Sequence, residues 1–447
     1  MKADARIAWI LTRGSHRREW WRISLTAVGA LLATGFALAA ITVAAVPGQV
    51  SIPYAHGLLN QPGQRAGVVV TLLLLLVPVL GFLGQCARIG AVHRDRRMAG
   101  LRLAGASPAQ VRRIAALESG FACLAGSAVA LAVVAAVLAD IGHMPPPAAW
   151  VAFVLAVLAV PVVGALVSAL ALRRVIASPL GWVRRVRPDG GHRALLALLV
   201  PTALIAVALF LLADRNSRPG EVTVPFVVLA VVLLTGAGAV WLAGATASFM
   251  GRRLTLRAKS PAVLIAAGRL KDDPWAAART HAALLLVTVV GVGFVGVRQV
   301  LLDELHRRSG YTTEDLGFYT TGIDLAGTAV LVALVISLFS LAVGTAESVA
   351  TRRRGLAAQT AAGVPRTVLA RTLLLETALP LAPAVLLAGI GGMALHLAYS
   401  LLVAPEAVPS MLPLLVPVVV YAACLLAASA SLPLLRRAVH PAELRFT

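Results

Sequence analysis

The chain has 447 residues, 59% of them hydrophobic and 13% charged, with a mean hydropathy of +0.87. A water-soluble fold of this length cannot hide so much apolar surface, so the composition selects a helical membrane protein. The net charge of +21 would suit nucleic acid, but its distribution along the chain does not. The apolar runs are also too long and continuous for membrane strands, which alternate over about ten residues.

Ten spans are predicted, at 23–46, 66–86, 117–139, 149–172, 194–213, 223–245, 281–300, 324–346, 377–400 and 413–435. Ahead of the first, Trp9, Trp20 and Trp21 stand among Arg13, Arg17, Arg18 and Arg22, which predicts a helix in the inner interface over 1–22. The run ending at Ala45-Val46-Pro47 resembles a signal-peptide cleavage region. It is longer than the roughly 7–15 apolar residues of such a signal, and a retained span is expected. With this topology all but six of the 40 Lys and Arg fall on the N-terminal side or in every second loop. The exceptions are Arg65, Arg215, Arg218, Arg298, Arg307 and Arg308. Cationic residues orient membrane proteins this way, so both termini are expected in the cytoplasm and the charge is assigned to orientation and lipid contact.

Two Arg-rich segments repeat at a spacing of 258 residues. The first runs from Arg94 through Arg96, Arg97, Arg102, Gly105, Ser107, Arg112 and Arg113 to Glu118. The second runs from Arg352 through Arg353, Arg354, Gly363, Pro365, Arg366 and Arg371 to Glu376. Without a gap, Arg94, Arg96, Ala99, Ala104, Gly105, Arg113, Leu117 and Glu118 recur as identical residues in the second copy. The spans repeat at the same offset, and both units exit with Arg-Arg followed by Pro, at Arg173-Arg174 to Pro179 and Arg436-Arg437 to Pro441. The predicted architecture is therefore an all-α polytopic membrane protein of about ten helices. Two parallel four-span units, 23–190 and 251–447, flank a linking hairpin at 191–250.

Each repeated segment reads as helix, tight turn, helix. Gly105 and Gly363 suit a C′ position with positive φ. Ser107 can cap the next helix, with Pro108 at its first position and Gln110 at its third. Pro365 is the starter in the second copy. Glu118 and Glu376 open spans, where a carboxylate is expected near a helix N-terminus and paired with elbow arginines. Prolines inside spans, Pro78, Pro161, Pro201, Pro380, Pro383 and Pro417, each remove a backbone donor. The outer segments are short, and the longest, 301–323, is expected to form at most a small amphipathic cap.

At these elbows the chain resembles the FtsX-like, or MacB-like, permeases of ABC transporters. The resemblance covers residues 66–180 and 324–445, and the ten-span plan is similar to the bacitracin-export type of permease. That type carries a large external domain between spans 7 and 8, where this chain has only 301–323. The acidic residue that the family often carries at this stretch is not matched between the copies: Glu347 precedes the second stretch and Ile89 stands in the matching place of the first. The resemblance implies a bacterial plasma-membrane permease driven by a separate cytoplasmic ATPase dimer, into which both elbows would dock. ATP and Mg would belong to that partner, and the cargo would be a hydrophobic or amphipathic lipid, drug or peptide. No Gly-Lys dipeptide, and hence no phosphate loop, occurs in the chain. Two other classes fit the same residues: a signalling scaffold relaying ATPase motion to an outer partner, and an ion-coupled secondary transporter.

No catalytic, cofactor or metal site is expected. The nine histidines are scattered, with His281 and His396 read as interfacial or packing residues. Cys86, Cys123 and Cys424 lie in or beside spans and read as packing residues too.

Overall fold

The computed structural model describes residues 17–52, 57–86, 100–142, 145–171, 223–307, 313–404 and 408–438. The predicted fifth span, with Pro201, lies outside the described residues, as do Arg94, Arg96 and Arg97. The regular structure of the described residues is helical, with no strand among them. The helices are α1 (Arg17–Ala44), α2 (Pro62–Cys86), α3 (Pro108–Ile141), α4 (Pro147–Ala171), α5 (Thr223–Arg257), α6 (Pro261–Asp272), α7 (Pro274–Arg307), α8 (Thr313–Thr351), α9 (Arg353–Ala361), α10 (Arg366–Val403), α11 (Leu415–Ser429) and α12 (Leu432–Ala438). Among the described residues, nine segments are long and apolar enough to cross a membrane, and they coincide with nine of the predicted spans.

Several helices are longer than the apolar runs within them. The third span begins at Pro108 and the ninth at Arg366, each about ten residues earlier than hydropathy alone indicates. Residues 17–22 continue into the first span as one helix. The expected cap over 301–323 is not a separate element, because α7 extends to Arg307 and α8 starts at Thr313.

The chain forms two compact units, Met1–Pro47 with Leu72–Pro188, and Gly48–Thr71 with Asp189–Thr447. In the first unit α1 packs along α3, and α4 packs against both. The α1–α3 contact is backbone on backbone: a Cβ on Gly126 would stand 2.0 Å from the Ala27 carbonyl oxygen. One residue further on, the Thr34 and Ser127 hydroxyls share a buried hydrogen bond of 2.8 Å. Small residues let membrane helices approach this closely, and dispersion then replaces the hydrophobic effect as the adhesive force. Away from this seam, Val151, Val154, Leu155, Leu158 and Val162 form an exposed stripe on α4, as a lipid-facing surface requires.

In the second unit, α7 and α10 pack together and both pack on α5. Its core joins Ala239 and Ala243 of α5, Leu284, Leu285 and Val289 of α7, Leu341 of α8, Leu381, Ala384, Val385 and Ala388 of α10, and Val420 and Cys424 of α11. Gly392 again marks a backbone approach, since its Cβ would lie 2.7 Å from the Val289 carbonyl oxygen. His396 is fully buried, with its ring against Gly296, which agrees with a packing role.

Helical glycines therefore divide into two kinds, and substitution separates them. Gly126→Ala should lower thermal stability in detergent by about 1–3 kcal/mol, because the obstructing atoms are backbone. Gly35 has open space around its Cβ position. Gly35→Ala should raise stability by about 0.5–1 kcal/mol through helix propensity.

Candidate functional site

The two elbows carry the same turn. In the first, Gly105 has φ 95°, its N–H donates to the Arg102 carbonyl (3.1 Å), and the Ala106 N–H donates to the Leu101 carbonyl (2.9 Å). In the second, Gly363 has φ 91°, its N–H donates to the Thr360 carbonyl (3.0 Å), and the Val364 N–H donates to the Gln359 carbonyl (3.0 Å). These paired bonds define a Schellman motif, which ends a helix on a left-handed residue and satisfies its last carbonyls. Each turn rests on its own small core. Val111, Ile114 and Ala115 pack with Leu101 and Ala106 in one, and Val349, Leu356, Leu369 and Leu435 pack with Val364 and Leu373 in the other. The offset of 258 superposes Val111 on Leu369, Ala115 on Leu373 and Ala106 on Val364.

The next helix starts differently in the two copies. Ser107 and Gln110 form a full capping box: the Gln110 N–H donates to Ser107 Oγ at 3.2 Å, and the Ser107 N–H donates to Gln110 Oε1 at 2.8 Å. Pro108 occupies the first helical turn, as predicted. Pro365 sits at the N-cap itself, one position earlier than a starter proline, and supplies no side-chain cap. Its fixed φ of −62° replaces the hydrogen bond as the device that sets the chain's entry angle. Both turn tips are exposed: Leu103, Ala104 and Gly105 in one copy, and Ala361, Ala362 and Gly363 in the other. Leu103 is 71% exposed, an apolar side chain presented at a polar end of the unit.

The arginines are distributed over the elbow surfaces. Arg112, Arg113, Arg354, Arg366 and Arg371 are exposed, and Arg353 is half-buried. Arg102 folds back to donate to the Ala106 carbonyl at 3.0 Å, bracing its own turn. Arg352 lies at the break between α8 and α9 and points inward.

Glu376 is where Arg352 ends. Its Oε2 accepts from Arg352 Nη1 at 2.8 Å, and its Oε1 accepts from Arg269 Nη1 at 2.6 Å. The expected pairing of this carboxylate with an elbow arginine is thus present. The expected support from a helix N-terminus is not, because Glu376 stands ten residues into α10 and Glu118 ten residues into α3. A helix dipole acts within the first turn, so the partners of this carboxylate are the two arginines and not the helix end. Glu118 is 2% exposed and is likewise engaged rather than free.

Arg269 and its helix α6 have no place in the predicted elements. Ser260-Pro261 at one end and Pro274 beyond the other are ordinary helix boundary signals, but the segment between reads as a basic loop. Burial pushes the Arg269 guanidinium below its ordinary value; Glu376 opposes that shift and Arg352 adds to it. Beside the three charged groups lies a cavity of about 130 Å³, lined also by Asp273, His281, Ser348, Thr377 and Ser431. Among the described residues no group of three or more His, Cys, Asp or Glu is placed to hold a metal ion.

The turn geometry makes its own prediction. Gly105→Ala and Gly363→Ala should each cost about 1–2 kcal/mol in thermal stability, because an L-residue is forced to positive φ. Ser107→Ala should cost about 1 kcal/mol through loss of the cap, whereas Pro365→Ala removes no side-chain cap and should cost less.

Residues 68–180 match the family described as FtsX-like permease C-terminal. No curated protein and no solved structure matches the chain. The match falls on the first of the two segments that resemble the family and includes the whole first elbow. FtsX-like permeases are transmembrane subunits of ABC transporters without an ATPase domain of their own. This multi-pass membrane protein is thus similar, over residues 68–180, to the C-terminal domain of FtsX-like permeases.

Proposed function

We propose that this chain is the permease subunit of an ABC transporter. In this reading its two elbows, 94–113 and 352–371, receive force from a separate cytoplasmic ATPase dimer that holds ATP and Mg. The cargo is a hydrophobic or amphipathic compound, such as a lipid, drug or peptide, exported or extracted from a bacterial plasma membrane. Both termini face the cytoplasm, and one chain offers one elbow to each ATPase subunit.

The observation that carries this reading is the duplicated Schellman turn with an exposed tip, each copy leading without interruption into a membrane-crossing helix. A basic loop that only orients the protein needs no fixed shape. Here two copies share the same hydrogen bonds, the same glycine and three supporting core positions. Short outer segments and the scarcity of acids deep in the spans favour mechanical coupling over an ion-driven cycle. They also leave little surface for an outer signalling partner.

The test is co-purification of an ATPase with the full-length chain. Wild type should retain it, and Gly105→Pro with Gly363→Pro should lose it, since proline cannot adopt positive φ at either turn. Retention of the ATPase by a correctly inserted double variant would contradict the proposal.

A further inference from the structure

Helix α6 is a strut wedged between α5 and α10, and the second elbow is tied to it. Its buried side is Ala262, Ala266, Ala267 and Leu270, a helical stripe of mostly small residues that lets the backbone come close. Against α5, a Cβ on Gly251 would lie 2.7 Å from the Lys271 amide nitrogen. Against α10 the polar tie is Arg269, which donates to Glu376 at 2.6 Å; the Thr372 hydroxyl lies 3.4 Å from the Ala262 carbonyl but donates to the Val368 carbonyl of its own helix at 2.9 Å. The other oxygen of Glu376 receives Arg352 from the break between α8 and α9.

The position of this clasp along α10 matters. Pro380 follows Glu376 by four residues and Pro383 follows Leu379 by four, so the carbonyls of Glu376 and Leu379 lack their helical donors. The helix is therefore most easily bent on the membrane side of Glu376. The stretch from Arg366 to Glu376 depends on outside bracing to keep its direction. The clasp also retains a half-buried cation beside a second cation, an arrangement that packed apolar residues would replace at little or no cost in stability. The adjoining cavity gives the side chains room to rearrange.

Resting on the permease reading above, we propose that Arg269 is a positioning residue for ATPase coupling. It holds Glu376, and through Glu376 it holds Arg352. The second elbow and the start of α10 then move as one body with α6 instead of flexing at Pro380. Motion imposed on this elbow reaches α6, and from α6 the α5 helix, through the Arg269–Glu376–Arg352 clasp.

The experiment uses the full-length chain in nanodiscs with the ATPase that co-purifies with it, comparing wild type, R269A, R269K, E376A and R269A/E376A. Every variant should retain the ATPase, because the exposed turn tips are intact. R269A and E376A should each lower ATP turnover in the complex about tenfold, with the double variant no worse than the worse single. R269K should regain most of the turnover. Hydrogen exchange at 353–363 should rise about tenfold in R269A while 384–400 stays unchanged. Wild-type turnover in R269A, additive losses in the double variant, no recovery in R269K, or exchange rising along all of α10 would each overturn the proposal. If wild type itself retains no ATPase, the permease reading fails instead, and exchange at 353–363 in the isolated chain decides the clasp.

Discussion

Inside a bilayer every backbone N–H and C=O must find its partner within the protein, and in this chain that requirement turns each elbow and its span into one rod. α3 runs for 34 residues and α10 for 38, about 50 and 57 Å at 1.5 Å per residue. Neither rod pauses at the membrane boundary. The Schellman turns at Gly105 and Gly363 close the preceding helix and set the angle at which each rod begins. Along α3 a displacement at the turn is thereby a displacement of the span; along α10 the same holds only while the helix is braced ahead of Pro380.

The two rods are held in different ways. α3 lies in backbone contact with α1 at Gly126, beside the buried Thr34–Ser127 hydrogen bond, and has no proline after its first residue. α10 is interrupted by Pro380 and Pro383, and it is braced just before them by an ion pair to α6. A continuous helix transmits direction through its own hydrogen bonds. An interrupted one needs a neighbour to do so. The second rod thus combines a compliant point with a brace, whereas the first is uniform along its length.

What could be read from the residues was what depends on near neighbours. Glycine at a left-handed C′ position and the Ser107–Pro108–Gln110 start act over a few residues, and both stand in the structure as the sequence indicates. Long apolar runs likewise announced the nine described spans. Helix ends were misplaced because hydropathy registers only the apolar part of a helix, so the polar turns of α3 and α10 were invisible to it. α6 was missed because its buried face is mostly alanine, a weak apolar signal, while Lys259, Arg269 and Lys271 resemble an orienting loop. The Arg269–Glu376 pair joins residues 107 apart, and no local rule links them. The family resemblance found the elbow and its glutamate but not the helix that braces them.

The central claim, that both turns lie in the cytoplasm where an ATPase can reach them, is tested most directly by labelling in intact cells. The three native cysteines are buried, so single cysteines at Ala104, Ala362 and Ser410 can be probed in the full-length chain. A membrane-impermeant maleimide should label Ser410→Cys in whole cells, and Ala104→Cys and Ala362→Cys only after the membrane is opened. Labelling of either elbow position from outside intact cells would contradict the account.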